Sequence, residues 1–523
     1  MARRLLLAVV VALGVLGLAT SGALLLSPKR GDVLAGIDHV PGATSGSPWT
    51  PQPIHVEIGQ HPFLAASQYS NLHGGGGNAD VNLGPGPLGR NTYLHSRRGT
   101  NPPGGMIATT VFTRDGNLIS FVGAFAGFEL DLLAPRSLHL LARFDLPQRP
   151  STFAAVVTGN MDRVMADTSG GAYFYLDNED RVVLADADQH VVRIGHRELD
   201  SGWEFYVADD WDVSAHVPND CLGPKNWFPE GECDPITSVM PDGNGRIWWV
   251  TLHGRVGTVD PRDGTSRSMQ FAGEQIQNTF AADTDQVYVL TDHALYGMQA
   301  DDDGLPTVIW RQDYERGGGR KVGNASYGSG TSPTLVGDDW IAIADNGDPR
   351  DQLLVYRRAR DVEGERLVCA VPLFADGHSA VELSLVAWNR SIVAANSFGY
   401  WNAYQQRDYG EAVGGISRID VREDGSGCDV VWTSDARNPS SVVRMSAEAG
   451  LIYAYTVDER EGTDVWSLTA LDARTGEGAF ETRVGVGNRF DNSWAPLTIG
   501  PDGTAYIGIV TGMISLWDEP PPS

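Results

Sequence analysis

The chain has 523 residues, 62 of them glycine and 14 tryptophan, and its 66 acidic against 39 basic side chains give a formal net charge of −27. That acidity excludes nucleic-acid binding through the bulk surface, because phosphates need a basic face. A hydrophobic content of 42% excludes wholesale disorder, and many glycines beside many aromatics fit short strands joined by tight turns.

In chain order, Arg3 and Arg4 precede an uncharged run from Leu5 to Leu26. This is export architecture, and residues 1–30 read as a signal peptide or an N-terminal membrane anchor. The run is long enough to span a bilayer, and Ser21-Gly22-Ala23 is a small-residue cleavage site, so both readings stay open. The rest of the chain is expected outside the cytoplasm, secreted or tethered, touching membrane only through this segment.

Residues 31–105 form a Gly/Pro-rich extension. Ile54-His55-Val56-Glu57-Ile58 alternates and is predicted to be a closing strand. Residues 61–105, with HGGGGNAD from His73, are predicted to lie flexibly across one face as a lid. Gly84, Gly86 and Gly89 satisfy G-x-G-x-x-G, but Pro85 and Pro87 remove amide donors and no strand and helix flank the run. A dinucleotide site is therefore rejected.

From residue 106 a phrase recurs: a short apolar strand, a turn with Asp and Gly, a β-branched or aromatic strand, then a third strand. It reads TTVFTRDGNLISFVG from Thr109 and ITSVMPDGNGRIWWV from Ile236. Further copies begin at Asn278, Ser332, Leu383, Val442 and Ala495, with a weaker one at Gly170. The copies lie roughly 40 to 75 residues apart, as propeller blades do. The fold class is all-β. An eight-bladed β-propeller over residues 106–518 is expected, with seven blades as the alternative, followed by a Pro-rich tail at 519–523. The last copy stops after Trp517 without a fourth strand, so an N-terminal strand must close the circle.

Four cysteines fit an oxidising compartment. Cys221 and Cys233 flank a Pro- and Gly-containing loop, leaving Cys369 and Cys428, although four cysteines allow three pairings. The wide Cys221 to Cys233 spacing does not fit zinc.

Residues 470–480 read ALDARTGEGAF. Ala470, Asp472, Thr475 and Gly476, with Phe480 at a tryptophan position, make this resemble the blade signature of quinoprotein alcohol dehydrogenase-like (PQQ-like repeat) propellers. The resemblance implies the fold more than an activity. Pyrroloquinoline quinone is disfavoured, since the vicinal cysteine pair of those enzymes is missing and Trp248 fits a core strand.

In that family's geometry the loops between second and third strands and the loops between blades share one face. Nearly all the long insertions fall there, which makes it the candidate binding face. Asp345, Asn346 and Asp348 in IADNGDPRDQ, with Asn278, Asn396 and Asn492 from equivalent loops, supply oxygen atoms suited to calcium. The competing reading is side-chain-capped turns. His253 and His293 follow the same strand of adjacent blades, and Asp292 could orient a ring, so the three are candidate catalytic residues. His378 with Glu382 is a weaker pair. No specific catalytic motif occurs. The expectation is an exported propeller binding a small ligand or a cell-envelope protein partner. The alternative is a calcium-assisted hydrolase or lactonase, or a remote quinoprotein-type oxidoreductase.

Overall fold

The recurring Asp-Gly phrase is a hairpin with a side-chain cap. Asp242 Oδ1 accepts from the amides of Asn244 (2.8 Å) and Arg246 (3.0 Å), which turns the chain between Ile236–Pro241 and Ile247–Thr251. Asp177 does the same for Glu179 and Arg181. A short carboxylate that bonds the backbone two residues on makes such turns local and repeatable.

The computed structural model describes residues 40–66, 68–99, 105–124, 127–149, 167–217, 234–403, 406, 408–460 and 462–519. The N-terminal hydrophobic run and the Cys221–Cys233 loop lie outside the described residues. Eight antiparallel sheets follow in order: blade 1 (106–146), blade 2 (175–212), blade 3 (236–270), blade 4 (281–313), blade 5 (334–372), blade 6 (386–434), blade 7 (444–486) and blade 8 (497–518). Joining eight blades in a circle takes eight junctions, and apolar clusters supply all of them. Phe121 packs with Leu184 in one cluster, and Val183, Trp249 and Val289 share another. Tyr288 meets Ile341, Val355 meets Ile392, and Val393 meets Met445. Tyr453 shares a cluster with Ile507, and Ile107 of blade 1 closes the seam against Tyr506 and Met513 of blade 8. The protein is an eight-bladed β-propeller. Cys369 and Cys428 form a disulfide between the outer strands of blades 5 and 6. Among the described residues no helix is long and apolar enough to cross a membrane.

The N-terminal extension departs from the sequence expectation in two ways. Thr92–Arg98, not Ile54–Ile58, supplies the fourth strand of blade 8, pairing antiparallel with Gly512–Asp518. Its side chains alternate between buried and half-buried, as a paired strand requires. Ile54, Val56 and Ile58 instead lay their apolar side chains on the cluster between blades 6 and 7.

The second departure concerns HGGGGNAD. It is no lid. Residues 69–82 run round the inside of the channel and meet the blades in chain order. Tyr69 and Ser70 carbonyls accept from the amides of Phe112 and Leu176 on blades 1 and 2. Gly76, Gly77, Ala79 and Asp80 carbonyls accept from Ala282, Leu335, Ala387 and Met445 on blades 4 to 7. Each amide lies at the middle or end of its innermost strand, on the side of the Asp-capped hairpins. The ring thus satisfies strand edges that would otherwise face the channel. It also explains the glycines, because a Cβ at Gly76 would stand 2.4 Å from the Ala282 carbonyl oxygen. A buried ion pair pins the ring: Arg444 meets Asp80 at 3.0 Å and donates to the Leu72 carbonyl at 2.8 Å, while His73 Nδ1 lies 2.9 Å from Asp80. Gly86 and Gly89, read in sequence as part of a pseudo-fingerprint, make room for Tyr453 and Phe480.

Candidate functional site

The loop-rich face lies opposite the ring. Its acidic and amide side chains are turned inward to hold the loops. Asp345 Oδ1 accepts from the amides of Gly347 (3.1 Å) and Gln352 (2.6 Å), a capped turn at the end of an inner strand. Burial pushes the Asp345 carboxyl above its ordinary pKa. Asn346 donates to the carbonyls of Arg316 (2.9 Å) and Gly319 (3.0 Å), tying this turn to the loop between blades 4 and 5. Asn396 donates to the His378 carbonyl and accepts from the amides of Ala380 and Phe398. Asn492 accepts from Ser440 and donates to the Ala495 carbonyl. Asp348 is exposed. Asp345, Asn346, Asn396 and Asn492 thus anchor the loops they stand on. Among the described residues no group of three or more His, Cys, Asp or Glu side chains converges as a metal site.

The histidines behave similarly. His293 Nδ1 lies 2.8 Å from Asp292 Oδ1, so the backbone does bend back. Its Nε2, however, faces the Arg316 guanidinium at 2.7 Å, and Arg316 also binds Asp292 at 2.6 Å. The lone pair that a general base would use accepts from arginine. His253 contributes its backbone amide to Asp234 (2.8 Å), and among the described residues no hydrogen bond or ring contact joins it to His293. His378 is exposed, with its ring on the edge of Phe398.

One group of polar side chains does converge. Tyr173, Asn278 and Glu382 stand just before the inner strands of blades 2, 4 and 6, and so on the channel wall. Tyr173 Oη donates to Asn278 Oδ1 at 3.4 Å, and Asn278 donates to the Gly330 carbonyl at 2.6 Å. A Cβ at Gly330 would stand 2.3 Å from Glu382 Oε2, so glycine is what lets that carboxyl sit there. Glu382 accepts from Ser326 Oγ at 3.2 Å. It lies deep among protein atoms yet keeps partial solvent contact, and desolvation pushes its pKa up to about 8. At neutral pH it is therefore largely a neutral acid, able to donate a hydrogen bond. Burial, with the nearby Glu382, also pushes the Tyr173 phenol up. The His73 ring of the channel ring lies 6.5 Å from that of Tyr173. The three groups thus meet on the channel wall beside the N-terminal ring, with the Arg320 cation acting on Glu382. Sequence reasoning had Glu382 only as a minor candidate. It missed Tyr173 because the weak blade 2 phrase hid its place at a strand start.

No protein-family model matches the chain. An uncharacterized protein of Archaeoglobus fulgidus is 27% identical over 316 residues, which cover 54% of this chain and 61% of that protein's length. Among solved structures, Chaetomium thermophilum Sqt1 bound to the N-terminus of ribosomal protein L10 is similar at 11% identity and a TM-score of 0.43, over 77% of this chain and 94% of that one. BamB of Moraxella catarrhalis is similar at 12% identity and 0.38, over 66% and 93%. Streptogramin B lyase is similar at 10% identity and 0.39, over 81% and 97%. The propeller assignment rests on the sheet topology above.

Proposed function

We propose that the protein is an exported binding propeller that holds a polar ligand where Tyr173, Asn278 and Glu382 meet on its loop-rich face. The observation that carries this reading is the meeting of Tyr173, Asn278 and Glu382, from three blade junctions, beside the ring. A buried neutral acid beside a phenol and an amide selects ligands that match their hydrogen bonds. The Arg3-Arg4 and Leu5–Leu26 leader and the Cys369–Cys428 disulfide support an extracytoplasmic setting. Native mass spectrometry of the exported chain, purified without chelator, tests the reading. A non-covalent organic adduct is expected in the parent and in Trp401→Ala, and its loss is expected in Glu382→Ala. A bare mass in the parent would count against it. A specific observation would then favour protein docking: Trp401 and Tyr327, 48% and 54% exposed, stand on loops that are tied together on the same face.

A further inference from the structure

Lys321 is the only lysine among the described residues; every other basic side chain there is arginine. Arginine makes the protein's other buried ion pairs, as at Arg444–Asp80 and Arg97–Asp131. Lysine, by contrast, carries an amine that becomes a nucleophile once it is neutral. The Lys321 side chain is 13% exposed, and its Nζ donates both to Asp351 Oδ1 and, at 2.6 Å, to the Gly347 carbonyl. The Asp351 side chain is fully buried. Its other oxygen accepts from the Val381 amide at 2.7 Å, and its backbone is clamped by Ser379 and Leu373. An amine, a carboxyl with one oxygen held by a backbone N–H, and exclusion of water are the requirements for acyl transfer.

We propose that Lys321 and Asp351 condense into an intramolecular amide that covalently ties the loop between blades 4 and 5 to the IADNGDPRDQ turn. The step starts with proton transfer from Nζ to Asp351 within the hydrogen-bonded pair, which leaves the amine lone pair free to attack. Desolvation pushes the Asp351 carboxyl up to about 7, so the acid is populated at neutral pH. The Nζ lone pair attacks Asp351 Cγ while the Val381 N–H stabilises the charge growing on the held oxygen. The Nζ–Cγ bond forms, the Cγ–OH bond breaks, and the hydroxyl leaves with one amine proton as water. No oxidant or co-reactant is needed. Condensation is disfavoured between free groups in water, but fixed partners reach effective molarities of roughly 10⁵–10⁸ M.

The test is peptide mapping of the full exported chain under non-reducing conditions. The expected result is a branched peptide joining the segments around Lys321 and Asp351, lighter than their sum by one water. In Lys321→Arg, which keeps the ion pair and therefore the fold, both segments are recovered linear. Recovery of unmodified Lys321 and Asp351 on separate peptides in the parent chain would overturn the proposal. A water loss that maps to an Asp-Gly turn, such as Asp115-Gly116, would overturn it equally, since that is succinimide formation.

Discussion

At the scale of single residues, buried charge decides most of what is testable. Glu382 has its folded pKa raised to about 8, so the native state holds a proton that the unfolded chain releases. Its contribution to stability is complete at acidic pH, below the ordinary carboxyl range. It declines as pH rises from there through about 8. Glu382→Gln, which keeps the neutral shape, is expected to abolish that decline. Thermal unfolding at several pH values should show the variant gaining about 1–2 kcal/mol on the parent by pH 9, after discounting the partial exposure. Arg444→Met leaves Asp80 buried without its cation and should cost about 3–5 kcal/mol in urea unfolding. Removing the exposed Arg262, paired with Asp260, should leave the midpoint unchanged. The candidate site was only partly legible for a residue-level reason. Asp345, Asn346, Asn396 and Asn492 share composition with calcium ligands and with turn caps alike. Only the three-dimensional path shows which backbone amides and carbonyls they reach.

At the scale of elements, the ring of residues 69–82 is where sequence reasoning failed, and the reason is physical. Glycine runs read as flexible because glycine loses the most freedom on ordering. Here the same absence of Cβ lets backbone approach backbone, and the entropy cost is offset by amides drawn from six blades. Gly76→Ala is therefore expected to destabilise by about 1–3 kcal/mol through overpacking against the Ala282 carbonyl. Gly319→Ala, where an added Cβ meets nothing within 4 Å, is the matched control and should stay within about 0.5 kcal/mol. Equal effects of the two substitutions would mean that the close approach is not what the glycine provides. The closing strand was misassigned for a related reason. Ile54–Ile58 and Thr92–Arg98 both alternate, but the partner that distinguishes them, Gly512–Asp518, lies at the far end of the chain.

At the scale of the whole molecule, the eight blades were legible because one local pattern recurs, alternating apolar strands joined by tight hairpins, with aspartate capping the first hairpin in blades 2, 3, 4 and 8. Local signals survive in a single sequence, whereas the pairing of the first segment with all later ones does not. A chain beginning at residue 105 behind the same leader keeps every blade phrase but lacks the ring and the closing strand. It is expected to show no cooperative thermal transition, and a transition matching the parent would contradict the role given to the N-terminal segment. The same feature bears on how the molecule comes into being. Leu72 bonds Arg444 and Leu88 bonds Asp518, contacts 372 and 430 residues apart. The segment synthesised first must therefore wait, unpaired, until the last strand has been made. Until then the strand edges that the ring and the closing strand cover stay bare. Each blade pairs its own neighbouring strands, but the circle closes only once Gly512–Asp518 meets Thr92–Arg98.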